Sequence, residues 1–380
     1  MRIVILGAGP GGLMAANRLK ELCRDDCEVV VFDKEQNFSF GLSYLHVMVG
    51  KKKPNEVVRG REALKAKGID FVKASVTLVD CENKLVKSSA GDYRFDYLII
   101  AFGAELAPEK IKGLKESNYY TMYMLDSAMK LKEALNMFKG MKIAIVICSL
   151  PFKCPPAPYE AAMLIEDHLR DIGKRDIQIK VFTPEPFPMP VAGQSIGNRI
   201  IEMLNSRGIE FCGNHNLKEV RGDLNELVFE NGFIEKYDML IAIPPHSTPQ
   251  VLRDCSLANE NGWIPVNDKT METKFENIFA LGDCAQIILG IGKPLPKAAS
   301  LAIRQAEVVA SNIALQLLGT EAKSFDGVGE CYLESGQNMA SQGMGNFYAK
   351  PVPVVSLLGP SNEFYRLKEI WAEYWMRKLL

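Results

Sequence analysis

The residue types with most chemistry in this sequence lie together in Pro151-Phe152-Lys153-Cys154-Pro155-Pro156-Ala157-Pro158-Tyr159-Glu160. An apolar run from Lys142 to Ile147 leads into this stretch, and a helical pattern from 158 to 171 leaves it. A thiol just ahead of a helix meets the positive end of the helix dipole, and Lys153 adds a cation beside it. Both predict a lowered Cys154 pKa and a nucleophilic thiolate. Glu160, in the first turns, is a carboxylate able to pass a proton. The alternatives are a cysteine serving as a small apolar residue and an acid that merely offsets the dipole.

The elements around Cys154 say what the stretch is not. Strand, turn, helix and a second strand, Ile177 to Phe182, form a βαβ unit in which a nucleotide site would carry glycines. Prolines at 151, 155, 156 and 158 instead remove amide donors and fix φ. The second strand ends in Thr183-Pro184-Glu185-Pro186 rather than in a clear ribose-binding acid, which disfavours NADH as the reductant.

A true dinucleotide fingerprint stands at the start of the chain. Arg2 to Leu6 reads as a buried strand, followed by Gly7-Ala8-Gly9-Pro10-Gly11-Gly12 and a helical pattern through Leu13, Ala16, Leu19 and Leu22. Gly7 allows the tight turn, Gly9 lets backbone approach a pyrophosphate, and Gly12 lets helix pack on strand. The next strand, Glu28 to Phe32, ends at Asp33 and Lys34, about 20 residues beyond Gly12, where an acid holds a ribose hydroxyl.

Two later segments, Phe95 to Ala104 with Gly103 and Asn277 to Asp283 with Gly282, resemble the further fingerprints of flavoproteins with two dinucleotide-binding domains. That resemblance implies FAD in the first site and Asp283 on its ribityl chain, with Phe102 departing from the usual threonine. The Cys154 stretch in turn resembles the signature of sulfide:quinone oxidoreductases and of the flavoprotein subunit of flavocytochrome c sulfide dehydrogenase. Gly329 to Gly336 is similar to the segment carrying that family's other redox cysteine, here Cys331. Pro296-Lys297 and the helix Ala298 to Ala314 match the place where flavin and quinone meet.

The resemblance implies a Cys154–Cys331 redox bridge attacked by hydrosulfide, with electrons passing through FAD to a membrane quinone. Many relatives have a third cysteine upstream; Tyr119 to Asp126 has none, and Leu42 stands where the flavocytochrome has its flavin tether, so noncovalent FAD is expected. Cys148 is a rival sulfur-handling thiol, while the remaining cysteines read as core or loop residues. Competing readings are a flavocytochrome-type sulfide dehydrogenase, a type II NADH:quinone oxidoreductase, and a non-catalytic redox or sulfur sensor.

The expected architecture is α/β, with two Rossmann-like domains. Residues 1–107 and 264–345 form a discontinuous FAD domain, 108–263 a second domain without the NAD(P) glycine loop, and 346–380 a C-terminal quinone- and membrane-associating segment. Gln286 to Ile291, Phe347-Tyr348 and Val352 to Leu358 are expected to wall the quinone pocket. The tail from Asn362 to Leu380 mixes aromatics with Arg366, Lys368, Arg377 and Lys378, as an interfacial helix does; deleting it is expected to abolish lipid binding and spare FAD.

Composition bounds the partners. The 380 residues are 47% hydrophobic, enough for two cores, and 45 basic against 46 acidic residues leave a net charge of −1. That lacks the basic excess nucleic-acid binding requires. No apolar run reaches a bilayer span, and the start has no signal-peptide layout, so the expectation is a peripheral membrane protein on the cytoplasmic side, with self-association left open. Nine cysteines and four histidines show no metal-ligand spacing.

Overall fold

Arg2–Leu6 is the middle strand of a five-stranded parallel sheet ordered Ile278–Ala280, Tyr97–Ile100, Arg2–Leu6, Glu28–Asp33, Asp70–Lys73. The computed structural model describes residues 1–319 and 321–380. One face of this sheet carries the helices Pro10–Cys23 and Ala299–Leu318; the other packs on a second apolar cluster that includes Val79, Val86 and Phe95. Covered on both sides, its central strands read as unbroken apolar runs instead of alternating ones. Because all five strands run the same way, the turns at Gly7, Gly103 and Gly282 gather at one carboxyl edge, the usual ligand edge of such sheets.

A second parallel sheet, ordered Ile209–Cys212, Gln178–Phe182, Lys142–Ile147, Met239–Ile243, carries the cysteine stretch at the carboxyl end of Lys142–Ile147. The helix Ala157–Asp171 follows, with prolines at its start where a missing N–H costs nothing.

Cys331 lies on the first strand of an antiparallel sheet, Val328–Gly336, Met339–Asn346, Val354–Ser361. The domain division expected at residue 345 falls inside this sheet. Ser361 then caps the helix Asn362–Leu379 by accepting from the Phe364 amide. This helix is docked rather than free: Ala372, Met376 and Leu379 are buried, the Leu379 carbonyl accepts from Asn17 at 3.0 Å, and Lys378 pairs with Glu21 at 2.9 Å. Burying a side chain the size of Met376 or Leu379 contributes roughly 1.5–3 kcal/mol. No described helix is long and apolar enough to cross a membrane.

Candidate active site

The carboxyl edge of the first sheet opens into a cavity of about 760 Å³, lined among others by Gly7, Gly9, Pro10, Gly11, Asp33 and Lys34. That volume suits a large cofactor. At Gly7, φ is +101° and an added Cβ would lie 2.4 Å from the Ala101 carbonyl oxygen; at Gly12 it would lie 1.9 Å from the Gly7 oxygen. Gly12 is therefore a packing residue and does not line the cavity, as its place in the motif predicts. Gly9 differs, because a Cβ there would meet nothing within 4 Å and its backbone is ordinary extended chain. It leaves an open cradle at a helix N-terminus, the geometry for a pyrophosphate.

Asp33 borders this cradle, accepting from the Ala8 amide at 2.9 Å and lying 3.2 Å from Arg61. Arg61 was not singled out by the sequence, yet it is buried and also donates to the Ala8 and Asn37 carbonyls, tying the glycine turn to the next strand. Lys34 pairs with Glu105 at 2.9 Å at the cavity's edge. Gly103, Gly282 and Asp283 line the far side, where Lys297 donates to the Asp283 carbonyl and lies 3.7 Å from the Trp263 ring centre. Burial lowers the Lys297 pKa to about 8.

The cradle gives a sharp prediction. Gly9→Val puts a side chain into open space without backbone strain, so the variant is expected to fold as the parent does by circular dichroism and to purify without bound dinucleotide. Stoichiometric cofactor in its absorption spectrum would contradict the assignment.

Cys154 and Cys331 both face this cavity, as does Glu160. Cys154 adopts the left-handed conformation, φ 52°, with its amide donating to the Lys297 carbonyl at 2.7 Å and its carbonyl accepting from Ala157 at 2.9 Å. The stretch is thus pinned to Lys297 on one side and to its own helix on the other. Cys331 is accommodated by Gly343 on the neighbouring strand, where a Cβ would come within 3.0 Å of its sulfur.

The expected lowering of the Cys154 pKa is reversed. Burial, then the neighbouring Glu160 and Cys331, push its thiol up to about 12, and burial with Glu160 does the same for Cys331. The helix starts at Ala157, and Lys153 turns away to donate to the Ala104 carbonyl at 3.2 Å, with Tyr123 beneath it. Desolvation outweighs a dipole and a cation directed elsewhere.

Glu160 is completely buried and ion-paired to Lys368, whose ammonium also lies 2.8 Å from Glu334. The sequence placed Lys368 on the basic face of a lipid-facing helix; it is instead 2% exposed and points into the site. Burial raises the Glu160 carboxyl to about 7, despite Lys368. Glu334 goes the other way: against the cost of burial, Lys368 and His46 hold it below the usual carboxylate range. His46 Nε2 sits 2.5 Å from Glu334, and Glu334 had no sequence signal beyond lying three residues after Cys331.

Two other groups singled out from the sequence lie away from this cavity. None of 286–291, Phe347-Tyr348 or 352–358 lines the cavity: Ile287, Leu289 and Phe347 pack in the first core, and Val352, Val354 and Leu358 are exposed. The apolar wall is Phe38, Phe40, Leu42, Tyr332 and Trp371, with Trp371 stacked on Phe40 at 5.9 Å and donating to Glu330 at 2.7 Å. Cys148 is buried among Leu114, Val146 and Phe182 and is not part of the cavity wall. In the second sheet, Glu185 is turned inward and occupied by the Tyr159 and Thr183 hydroxyls.

Residues 1–306 match the family model described as pyridine nucleotide-disulphide oxidoreductase. The mitochondrial sulfide:quinone oxidoreductase of Mus musculus is 28% identical over 363 residues, 92% of this chain and 79% of that protein. A type II NADH:quinone oxidoreductase of Staphylococcus aureus is 25% identical over 377 residues, 92% of this chain and 90% of that protein. The sulfide:quinone oxidoreductase of Aquifex aeolicus superposes with a TM-score of 0.87 at 19% identity, covering 100% of this chain and 91% of that one.

Proposed function

The chain belongs to the pyridine nucleotide-disulphide oxidoreductase family, and from that premise we propose that it is an FAD-dependent sulfide:quinone oxidoreductase. The observation that carries this reading is the convergence of Cys154, Cys331 and Glu160 on the cavity that also contains the Gly9 cradle and Asp33. Relatives of that activity, matched over most of their length, support it. FAD, when bound among Gly7, Gly9, Asp33, Gly103, Gly282, Asp283 and Lys297, supplies an acceptor for an electron pair.

The protein's own groups do the rest. Glu160 takes a proton from hydrogen sulfide, and the hydrosulfide sulfur bonds to Cys154 Sγ as a Cys154–Cys331 bridge breaks. The electron pair of the broken bond remains on Cys331 as a thiolate, and Cys154 holds a persulfide. Over a full cycle, hydrosulfide, quinone and one proton give sulfane sulfur and quinol. Phe38, Phe40 and Trp371 form an aromatic wall suited to the quinone ring.

Anaerobic mixing with sulfide is expected to bleach the flavin within the dead time or shortly after, and quinone to restore it; NADH is expected to leave it oxidised. Glu185 is 4% exposed and turned toward the Tyr159 and Thr183 hydroxyls, so it does not stand open to a ribose at the strand end, which favours this reading over the NADH-dependent one. Rapid bleaching by NADH alone would reverse that choice. Among the described residues the cavity's thiols are Cys154 and Cys331, both used in the reaction, and Leu42 and Tyr123 on its wall offer no tether, so FAD is held noncovalently and acid precipitation is expected to release it.

Peripheral membrane attachment runs through the outer face of the last helix and the strand before it. Ile370 is 63% and Tyr374 54% exposed, and the preceding strand exposes Val354 and Leu358. Ile370→Glu with Tyr374→Glu is expected to abolish co-sedimentation with anionic liposomes while flavin content stays unchanged. Undiminished liposome binding would remove this face from the membrane contact.

A further inference from the structure

Sulfide oxidation at a buried centre raises a proton problem. Neutral hydrogen sulfide enters an apolar site more readily than its anion, and only the anion is a good nucleophile. Glu160 can accept the proton, but it is 1% exposed and reaches open space only through the cavity that cofactor and substrate fill. Unless that proton leaves, Glu160 serves once.

A continuous set of hydrogen-bonded ionisable groups leads away from it. Lys368 bridges Glu160 and Glu334; Glu334 Oε1 contacts His46 Nε2 at 2.5 Å. Glu334 Oε2 is buried with no hydrogen-bond partner, and 3.8 Å from it lies the Lys51 ammonium, which is partly exposed and donates to Asn338 at 3.2 Å. The set draws on four elements: the helix Ala157–Asp171, the C-terminal helix, the strand Val328–Gly336 and the short helix Tyr44–Met48. A buried ion triad of Glu160, Lys368 and Glu334 assembled from three elements is a poor way to gain stability, because desolvating three charges offsets most of their attraction.

We propose that Lys368, Glu334 and His46 form a proton relay that drains Glu160 to the surface beside Lys51. The inference rests on the sulfide reading for the origin of the proton, and on the structure alone for the route. One transfer moves a proton from Glu160 to Lys368 while Lys368 gives one to Glu334, leaving the lysine charged as before. A second shares it between Glu334 and His46, itself 3% exposed, and it leaves to water from the unpartnered Glu334 Oε2, 3.8 Å from the partly exposed Lys51. No electrons move and no charge is left behind in the interior.

The groups facing Glu160 are Cys154, Cys331, Lys368, Glu334 and Tyr123; those facing Glu334 are His46, Lys368, Lys51 and Tyr365; Lys52 and Lys368 face His46. Burial, partly opposed by Glu334, holds the His46 pKa below its ordinary value, so a proton arriving there is released and not stored. Lys368 shared between two carboxylates favours the ionised form at Glu334 and leaves Glu160 titrating near 7.

Two isosteric variants of the holoenzyme test this. His46→Gln keeps a side chain of similar reach that can donate to Glu334 but cannot carry a proton, and is expected to slow sulfide-dependent flavin reduction about tenfold or more with the Glu160 titration unmoved. Glu334→Gln gives Lys368 wholly to Glu160. The protonated-carboxyl band of Glu160 in infrared spectra of the resting protein, identified by its absence in Glu160→Gln, is then expected to disappear at a lower pH than in the parent. That readout needs no sulfide, so it stands if the sulfide reading falls, whereas an unbleached parent protein would sink only the latter. A His46→Gln enzyme with parental rate and pH profile, or a Glu334→Gln protein whose Glu160 band titrates as in the parent, would overturn the relay.

Discussion

Cys331→Ser, purified with its flavin, is expected to lose sulfide-dependent flavin reduction by about 10³-fold or more, the scale on which removal of a covalent centre is felt. Serine cannot form the bridge that hydrosulfide must open, and it cannot hold the electron pair as a stable anion in a cavity where even a thiol is driven up to about 12. Cys154→Ser is expected to fail to a similar degree for the complementary reason, since the persulfide has nowhere to form. Because the two sulfurs act as one unit, the double variant should be no worse than either single one. Single-turnover stopped-flow measures all three. Flavin content is expected to be parental in each, because neither sulfur belongs to the Gly7 to Gly12 cradle. A serine variant that bleaches at the parental rate would remove the cysteine pair from the reaction.

Lys368→Met is expected to be the most destabilising single change in the C-terminal helix. It leaves Glu160 and Glu334 buried together without a counter-charge, a loss of about 3–5 kcal/mol for breaking a buried pair. The pH dependence has a definite sign. The depressed Glu334 pKa adds stability that is present above the ordinary carboxylate value and lost as pH falls through its folded one. Glu160, raised to about 7, works oppositely: its contribution is complete in acid and lost as pH rises through 7. Without the ammonium, both carboxylates favour their protonated forms, so the gap between variant and parent is expected to widen above pH 7 and narrow below it. Chemical denaturation at pH values on either side measures this. Equal losses at both would mean that packing of the lysine stem, not its charge, matters.

The same contact changes what truncation should do. The sequence reading treats the tail as separable, with FAD retained after deletion. Since Lys368 neutralises the cysteine site and Trp371 walls its cavity, deletion of 362–380 is instead expected to weaken flavin retention along with lipid binding.

Local signals made the first half of the site legible. Gly7, Gly9 and Gly12 act through backbone geometry that their spacing specifies, and the structure gives each a distinct steric setting, with the Asp33 carboxylate accepting from the Ala8 amide of the turn. The proline-rich Cys154 loop was readable as a strand-to-helix turn, and the structure places it there, at the end of Lys142–Ile147 and the start of Ala157–Asp171. Electrostatics was not legible. A helix start and a neighbouring lysine suggested an acidic thiol, but burial and the true direction of Lys153 depend on packing that no window of sequence contains. Lys368 shows the same limit: on a helix with Arg366, Arg377 and Lys378 it looked like one more surface cation, and only the meeting of four elements identifies it as the buried partner of Glu160. Apolar runs such as 352–358 signal burial or exposure equally well, and the aromatic wall of the cavity comes from Phe40 and Trp371, far apart in sequence and brought together by stacking.

Peptide mass spectrometry of the nonreduced holoenzyme, before and after one equivalent of sulfide under anaerobic conditions, tests the central claim most directly. Before sulfide, the peptides containing Cys154 and Cys331 are expected to be linked, directly or through inserted sulfur. After it, they are expected to separate, with the added sulfur on Cys154. Quantitative alkylation of both cysteines in the oxidised enzyme, with sulfide still reducing the flavin, would contradict it.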